Sequence, residues 1–292
     1  MIHTKIRINE QWANLSLQQL FRDIWQAPKK LTHELRMSKN VSVNGEIGNW
    51  TKQLSEGDMM EIVFSDSVTT YKYYEEPINV LYEDEHLFVV NKRANMQTHP
   101  NTNETDTLLN AVAAYFDSKD EDRFFQPVHR LDKDTTGAIL FAKNPLSLAV
   151  LHKLLEERAI KRTYWALADG LLKAKQGKIN EPIGRDRHHA TRRRVSKTGQ
   201  TAITNYRVVK LFPEKRLSLI ECQLDTGRTH QIRVHLQHIG HPLAGDTLYG
   251  GSPIFPRQAL HAKKIEFIHP FTLEKINVEA PFIDSPPIFP KV

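Results

Sequence analysis

The most constraining feature of this chain is the junction at residues 128–142. There His129, Arg130, Asp132, Lys133, Asp134, Thr135, Thr136 and Gly137 run directly into the apolar segment Ala138-Ile139-Leu140-Phe141-Ala142. A short apolar run bounded by turn residues reads as a buried strand. Charged groups set against a core strand are costly unless they are hydrogen-bonded or put to use. Asp132 is therefore the candidate reactive carboxylate, and the rest of the chain must supply what such a group needs.

Around that junction the pattern is strand-rich. Asn79–Tyr82, Leu87–Asn91, Thr163–Ala168, Ile203–Lys210 and Arg216–Leu224 read as strands, and Leu260–Pro270 as a last strand pair closing the sheet. Helices are expected at Thr107–Phe116, and after Asn144-Pro145 with Leu148, Leu151, Leu154 and Leu155 as the buried stripe. Thr229–Ile239 reads as a third helix, ended by Gly240. Strands outnumber helices and mostly follow one another directly, which predicts an α+β fold with a large mixed, mainly antiparallel sheet flanked by helices.

The amino-terminal part has its own organisation, although residues 1–14 carry no clear signal. Leu17, Leu20, Phe21 and Ile24 repeat as a helical stripe after Ser16, Pro28 breaks it, and Lys30–Met37 forms a second helix. Val41-Ser42-Val43 then meets the hairpin signal Asn44-Gly45, and Glu56-Gly57-Asp58 leads into a strand at Met60–Phe64. Two short helices, a hairpin and a closing strand in this order resemble the alpha-L RNA-binding fold. By that resemblance Lys29, Lys30, Arg36 and Lys39 lie where such a fold meets RNA, the bland alternative being a small structural cap. The expected division is a small domain at 1–66, a linker at 67–77 and a larger domain at 78–292.

Charge narrows the partners. The chain carries a net charge of +6, and residues 185–197 hold six cations against the single acid Asp186. Arg192, Arg193 and Arg194, with His188 and His189 nearby, read either as a solvated loop or as a surface that tracks phosphates. No apolar run approaches the length of a membrane span. The one cysteine, Cys222, excludes an internal disulfide, and the amino terminus has no signal-peptide pattern, so a cytoplasmic protein is expected.

Two further stretches can carry chemistry. Tyr164 shares a strand face with Ala166 and Ala168, small neighbours that leave room over its ring, although a tyrosine in a strand is commonly structural. The 229–239 helix places Ile232, Leu236 and Ile239 on one side and His230, Arg233 and Gln237 on the other. Most polar helix faces meet water. This one starts from the turn Gly227-Arg228-Thr229, where backbone N–H groups and Arg228 can face an anion. His235 and His238 have a helical spacing, but no third ligand and no His-Glu-x-x-His motif accompany them, so no metal is expected.

These blocks, in this order, resemble the RluA-type pseudouridine synthases over roughly residues 78–283. HRLDKDTTG at 129–137, the Tyr164 strand and LDTGRTHQIRVHLQHIGHPLAGDTLYG at 224–250 carry the resemblance, with weaker support from 89–100 and 259–270. The resemblance implies that Asp132 is the essential aspartate, that Tyr164 stacks on the uracil and serves as base, and that Arg233 pairs with the aspartate. Arg130 would hold the flipped nucleotide, and His129, Arg162, Arg228, His230 and Lys92 join it as expected RNA contacts. Two positions depart from the family pattern. Arg162 stands where a lysine is usual, keeping the charge but not the point geometry. Lys92-Arg93-Ala94-Asn95 replaces Lys-Pro-x-Gly, and Asn95 can still adopt a left-handed turn.

Isomerising uridine to pseudouridine breaks the bond from ribose to ring nitrogen and remakes it to C5, with no redox change, so no cofactor is expected. An ionised carboxylate held near a cation fits that need, and Arg233 can hold it through two parallel hydrogen bonds. Addition of the aspartate to the base, attack on the sugar and assistance to elimination are all compatible with these residues. Ribosomal RNA is the favoured substrate, with transfer RNA the alternative, and a monomer is expected. A non-catalytic RNA-binding protein would bind RNA without making product. A phosphotransferase reading of HRLD lacks both Asp-Phe-Gly and a Gly-x-Gly-x-x-Gly loop, and a metal nuclease lacks ligands.

Overall fold

The computed structural model describes residues 1–65, 71–101, 104–121 and 124–290. It opens on β1 (Ile2–Arg7), where Ile2, Thr4 and Ile6 point inward. That strand has no clear sequence signal because its alternation lasts only three periods and includes an inward threonine. Ser16 caps α1 (Leu17–Gln19) through a reciprocal capping box with Gln19, and a π-helical turn continues it over Leu20–Ile24. The wider turn shifts the expected stripe. Leu17, Leu20 and Phe21 are buried, but Ile24 is 46% exposed and Trp25 takes its place in the core.

After Pro28 comes α2 (Lys29–Met37). The hairpin of β2 (Val41–Val43) and β3 (Glu46–Ile47) is turned by Asn44 and Gly45 at φ of 53° and 83°, the left-handed values a type I′ turn demands. With β4 (Met59–Phe64) these strands form a four-stranded sheet in the order β1-β4-β2-β3. Of the expected linker, residues 67–70 lie outside the described residues. Tyr71 and Tyr74 pack on the main core, and the Tyr74 N–H donates to the Asn110 carbonyl at 3.2 Å, so this part of the segment is docked.

The larger domain begins with β5 (Asn79–Glu83), β6 (Leu87–Lys92), α3 (Leu108–Asp117), β7 (Gln126–Pro127), β8 (Thr136–Ala142) and α4 (Pro145–Glu156). It continues through β9 (Lys161–Asp169), β10 (Gln176–Asn180), β11 (Ile183–Arg185), β12 (Arg193–Val195), β13 (Ile203–Phe212) and β14 (Leu217–Leu224). It ends with α5 (Gln231–His238), β15 (Leu260–Ile268) and β16 (Lys275–Glu279). The ten-stranded sheet runs β10-β13-β14-β9-β15-β8-β6-β5, with β16 on β15 and β7 on β8. Only the β15–β8 pair is parallel, so the sheet is mixed and mainly antiparallel.

The expected closing strand is in fact central. β15 lies between β9 and β8 and joins the two antiparallel halves of the sheet. Hydrophobic patterning reports that a strand is buried but not which strands flank it, and so misses this placement. Alternate residues of β6 serve both faces of the sheet. Phe88 and Val90 pack with α3 and α5 on one side, Leu87 and Val89 with α4 on the other. α4 is buried differently from its expected stripe, with Leu146, Val150 and Leu151 innermost. Leu151 faces the sheet, while Leu146 and Val150 join the amino-terminal core beside Trp25 and Phe271, so one helix serves two cores.

Candidate active site

The polar segment before β8 is immobilised from several directions. The Thr98 hydroxyl donates to the Leu131 carbonyl at 3.1 Å and accepts from the Leu131 N–H at 3.3 Å. The Thr135 N–H closes a turn on the Asp132 carbonyl at 3.1 Å. Gly137 (φ 111°) lets β8 and β15 meet, since a Cβ there would stand 2.3 Å from the Ala262 carbonyl oxygen. Behind the loop, the buried Arg257 forms two parallel hydrogen bonds to Asp284 at 2.8 and 2.7 Å. Its remaining N–H groups donate to the Asp134 and Leu260 carbonyls and the Thr136 hydroxyl. Neither Arg257 nor Asp284 stands out in the sequence.

Lys92 is the clearest correction. Expected among the RNA contacts, it is fully buried, and its ammonium donates to the carbonyls of Arg93, Met96 and Lys133, each at 2.8 Å. Burial pushes its pKa down to about 7, against the pull of Asp134 and Asp132. It has no surface with which to touch RNA; it ties the 93–96 turn to the Asp132 loop. That turn is made by Asn95 at φ 56°, whose N–H donates to Asp134 at 3.2 Å.

Asp132, Tyr164 and Arg233 line one cleft of about 510 Å³, together with His129, Arg130, Arg162, Arg228 and His230. Tyr164 is flanked in register by Cys222 on β14 and Ala262 on β15, and followed on its face by Ala166. Small residues flank it on three sides, and the ring is itself buried, only 4% exposed where it meets the cleft. Burial raises the phenol's pKa, while Arg162 opposes that shift and Asp132 adds to it. Arg130 and Arg228 are exposed at the rim, and the Arg228 Nε donates to the Thr201 carbonyl at 3.0 Å.

Arg233 reaches Asp132, but through one hydrogen bond, Nη1 to Oδ2 at 3.3 Å. The expected two-pronged contact goes instead to Asp246, at 2.7 and 2.9 Å. Asp246, whose side chain is only 1% exposed, follows the tight turn at Gly245 (φ 80°), where a Cβ would collide with the Arg257 carbonyl. Burial works against the Arg233 charge, but hydrogen bonding and attraction to Asp246, with Asp132 adding, raise its pKa overall. A carboxylate in the otherwise uncharged, glycine-rich run Leu243–Gly251 is the signal that could have found Asp246.

Tyr249 links this pair to the basic segment. Its ring lies 4.9 Å from the Arg233 guanidinium carbon. Its hydroxyl accepts from the Arg193 N–H at 2.9 Å and lies 2.8 Å from His230 Nδ1. His230, at the left-handed start of α5 (φ 58°), places Nε2 4.0 Å from Asp132, and burial lowers its pKa. Arg193 and Arg194 belong to the hairpin β11–β12, outside the cleft, and Arg192 lies 3.5 Å from Asp186. His235, considered for a metal, is buried against Thr204 at 2.8 Å and the Glu181 carbonyl at 2.9 Å. Among the described residues no group of three potential ligands forms a metal site.

Comparison with known proteins agrees with this geometry. Residues 86–238 match the family described as RNA pseudouridylate synthase, and residues 4–60 match the RluD ribosomal pseudouridine synthase N-terminal domain. YhcT of Bacillus subtilis (strain 168), an uncharacterized RNA pseudouridine synthase, is 44% identical over 282 residues, covering 95% of this chain and 93% of that one. The ribosomal large subunit pseudouridine synthase D of Nitrosomonas europaea is 39% identical over 260 residues, covering 85% of this chain and 75% of its own length. The solved structure of human RNA Pseudouridylate Synthase Domain Containing 1 superposes with a TM-score of 0.59 at 26% identity, over 73% of this chain and 86% of that one. No helix among the described residues is long and apolar enough to cross a membrane. A sheet, a cleft and three sequence blocks thus converge on one conclusion: the chain belongs to the RluA-type RNA pseudouridine synthases, isomerases that act on RNA.

Proposed function

We propose that this enzyme isomerises uridines in structured ribosomal RNA of the large subunit, in the cytoplasm, using Asp132 with Tyr164 and Arg233 and no organic or metal cofactor. One observation carries the catalytic part: Asp132 and Tyr164 line the same cleft, and Arg233 donates to the Asp132 carboxylate at 3.3 Å. The ribosomal assignment is supported by the match of residues 4–60 and by relatives named for the large subunit.

The net reaction moves the ribose C1′ from N1 to C5 of the same uracil, with one proton leaving C5 and one arriving at N1. Asp132 is the carboxylate that acts at the sugar–base junction, and Arg233 fixes its orientation. Tyr164 gives the detached uracil a flat surface to turn on; its hydroxyl proton passes to N1, and the oxygen then receives the C5 proton, which restores the phenol. Arg162 offsets the effect of burial on that phenol in the required direction. The uridine must leave its stack to enter, at a cost of about a few kcal/mol, which contacts from Arg130, Arg228, His230 and the β11–β12 hairpin offset.

Asp132→Asn tests the assignment. The variant is expected to release no tritium from C5 of uridine-labelled RNA while binding that RNA within severalfold of wild type; continued product formation overturns the role of Asp132. Pseudouridine mapping in total RNA, with and without the gene, tests the substrate. Loss confined to transfer RNA would overturn the ribosomal reading.

A further inference from the structure

Arg162 has an environment that the cleft itself does not complete. Only 9% exposed, it lines the cleft beside Tyr164, two residues away on the same face of β9. Its guanidinium makes no hydrogen bond or ion pair with any described residue, and its Nε is buried without a partner. The acids of the cleft are engaged elsewhere. Asp132 takes Arg233 at 3.3 Å, and Asp225 accepts from Asn205 at 3.0 Å and lies 3.9 Å from Arg158. Glu156 also lines the cleft but makes no ion pair with Arg162. A buried cation with no counter-charge is among the most costly groups a fold can hold, and it persists where a ligand supplies the missing partner.

A second donor points to the same need. The His129 Nε2 accepts from the Leu140 N–H at 3.2 Å, which leaves the proton of the neutral ring on Nδ1. That Nδ1 is also buried without a partner among the described residues. Burial, with Arg162 adding, pushes His129 down to about 3, so the ring stays neutral and its Nδ1–H stays a donor. Below the guanidinium lies Gly227, where a Cβ would stand 3.2 Å from Nη1. Two unpartnered donors, one of them charged, call for an acceptor carrying negative charge. A guanidinium fork matches a phosphate better than a neutral carbonyl.

We propose that Arg162, with His129, forms a seat for a phosphodiester of the everted nucleotide. The proposal rests on the RNA-modifying reading and specifies which part of the substrate this corner of the cleft receives. The nucleotide would then be held at three points, with its base on Tyr164, its sugar–base junction at Asp132 and its phosphate on Arg162.

The test is a thermal-melt titration of the full chain at constant ionic strength, with uridine 5′-monophosphate and uridine as probes. In Arg162→Met, apparent affinity for the monophosphate is expected to fall about tenfold or more, the equivalent of one charge-assisted hydrogen bond, with uridine affinity changed less than about twofold. Unchanged monophosphate affinity overturns the seat. An equal loss for uridine also overturns it, because the group then reads the base. If Arg162→Met does not fold, Arg162→Lys carries the test: it keeps the charge without the fork, so the monophosphate should weaken severalfold and uridine should not, and no change overturns the proposal. The titration follows binding without turnover, so its failure is distinct from a failure of the Asp132→Asn assay.

Discussion

The buried back of the cleft and the β11–β12 hairpin both depend on arginine, and they use it in opposite ways. Arg233 and Arg257 are buried, each with a carboxylate held through two parallel hydrogen bonds, Asp246 and Asp284. Arg185, Arg187 and Arg194 are exposed, and Arg192 pairs with Asp186 only at 3.5 Å. A buried pair is screened little by salt and fixes geometry; exposed cations create a field that salt weakens. The same side chain thus bonds to Asp132 in one region and, in the function proposed above, attracts a polyanion in the other. Tyr249 touches both, accepting from the Arg193 N–H while its ring faces Arg233.

The largest effect should come from removing the carboxylate that anchors Arg233. Asp246→Asn leaves the buried guanidinium with a neutral amide at its two-pronged contact and a single bond to the Asp132 carboxylate, a type of loss that costs up to about 3–5 kcal/mol of stability. A misplacement of Arg233 by about 1 Å would lower turnover roughly 10²-fold. RNA binding and its salt dependence should be unchanged. Turnover within twofold of wild type would reduce Asp246 to a filler and break the contrast between the two regions.

Acid sharpens the contrast next, because the hairpin has no buried titrating group while the interior of the larger domain has several. Burial pushes His86 and His261 down to about 4 and His129 to about 3. These rings stay neutral in the fold while the unfolded chain takes up protons below about 6.5. The unfolded state therefore binds more protons from pH 6.5 down to about 4, and stability falls as pH falls through that window. Each ring contributes up to roughly 3 kcal/mol of that loss. Urea midpoints measured between pH 7 and 4.5 should fall steeply, and His261→Asn should flatten the slope. A flat profile in wild type would show that these rings are not held neutral by the fold.

The smallest effect belongs to the hairpin cations, of which Arg194 is exposed and Arg192 and Arg193 are half-buried. Replacing Arg192, Arg193 and Arg194 together with glutamine should weaken RNA binding about tenfold at low salt and reduce the slope of log affinity against log salt by about 2. Turnover of saturating RNA should stay close to wild type. An unchanged slope would return the hairpin to the class of solvated loops.

What could be read before folding follows from how local each signal is. The Asn44-Gly45 hairpin, the Ser16 helix cap and the Asn144-Pro145 helix start depend on a few adjacent residues. The resemblance blocks placed Asp132, Tyr164 and Arg233 among the candidates, and the three do line one cleft. Lys92 misled because a lysine near a loop ordinarily extends to water, whereas here three backbone carbonyls close around it. The partner of Arg233 misled because Asp132 and Asp246 are both within its reach, and only the Gly245 turn decides which takes the two-pronged contact.

The amino-acid sequence by itself determined the strand-rich class and the capped helices, and through the resemblance it named candidate residues for the chemistry, because apolar period, turn chemistry and sequence blocks are properties of neighbours along the chain. Only the tertiary structure decided that β15 lies in the middle of the sheet, that Asp246 anchors Arg233, and that Arg162 is buried without a counter-ion among the described residues. Those facts depend on distances between segments far apart in sequence, and such distances exist only once the sheet has closed around them.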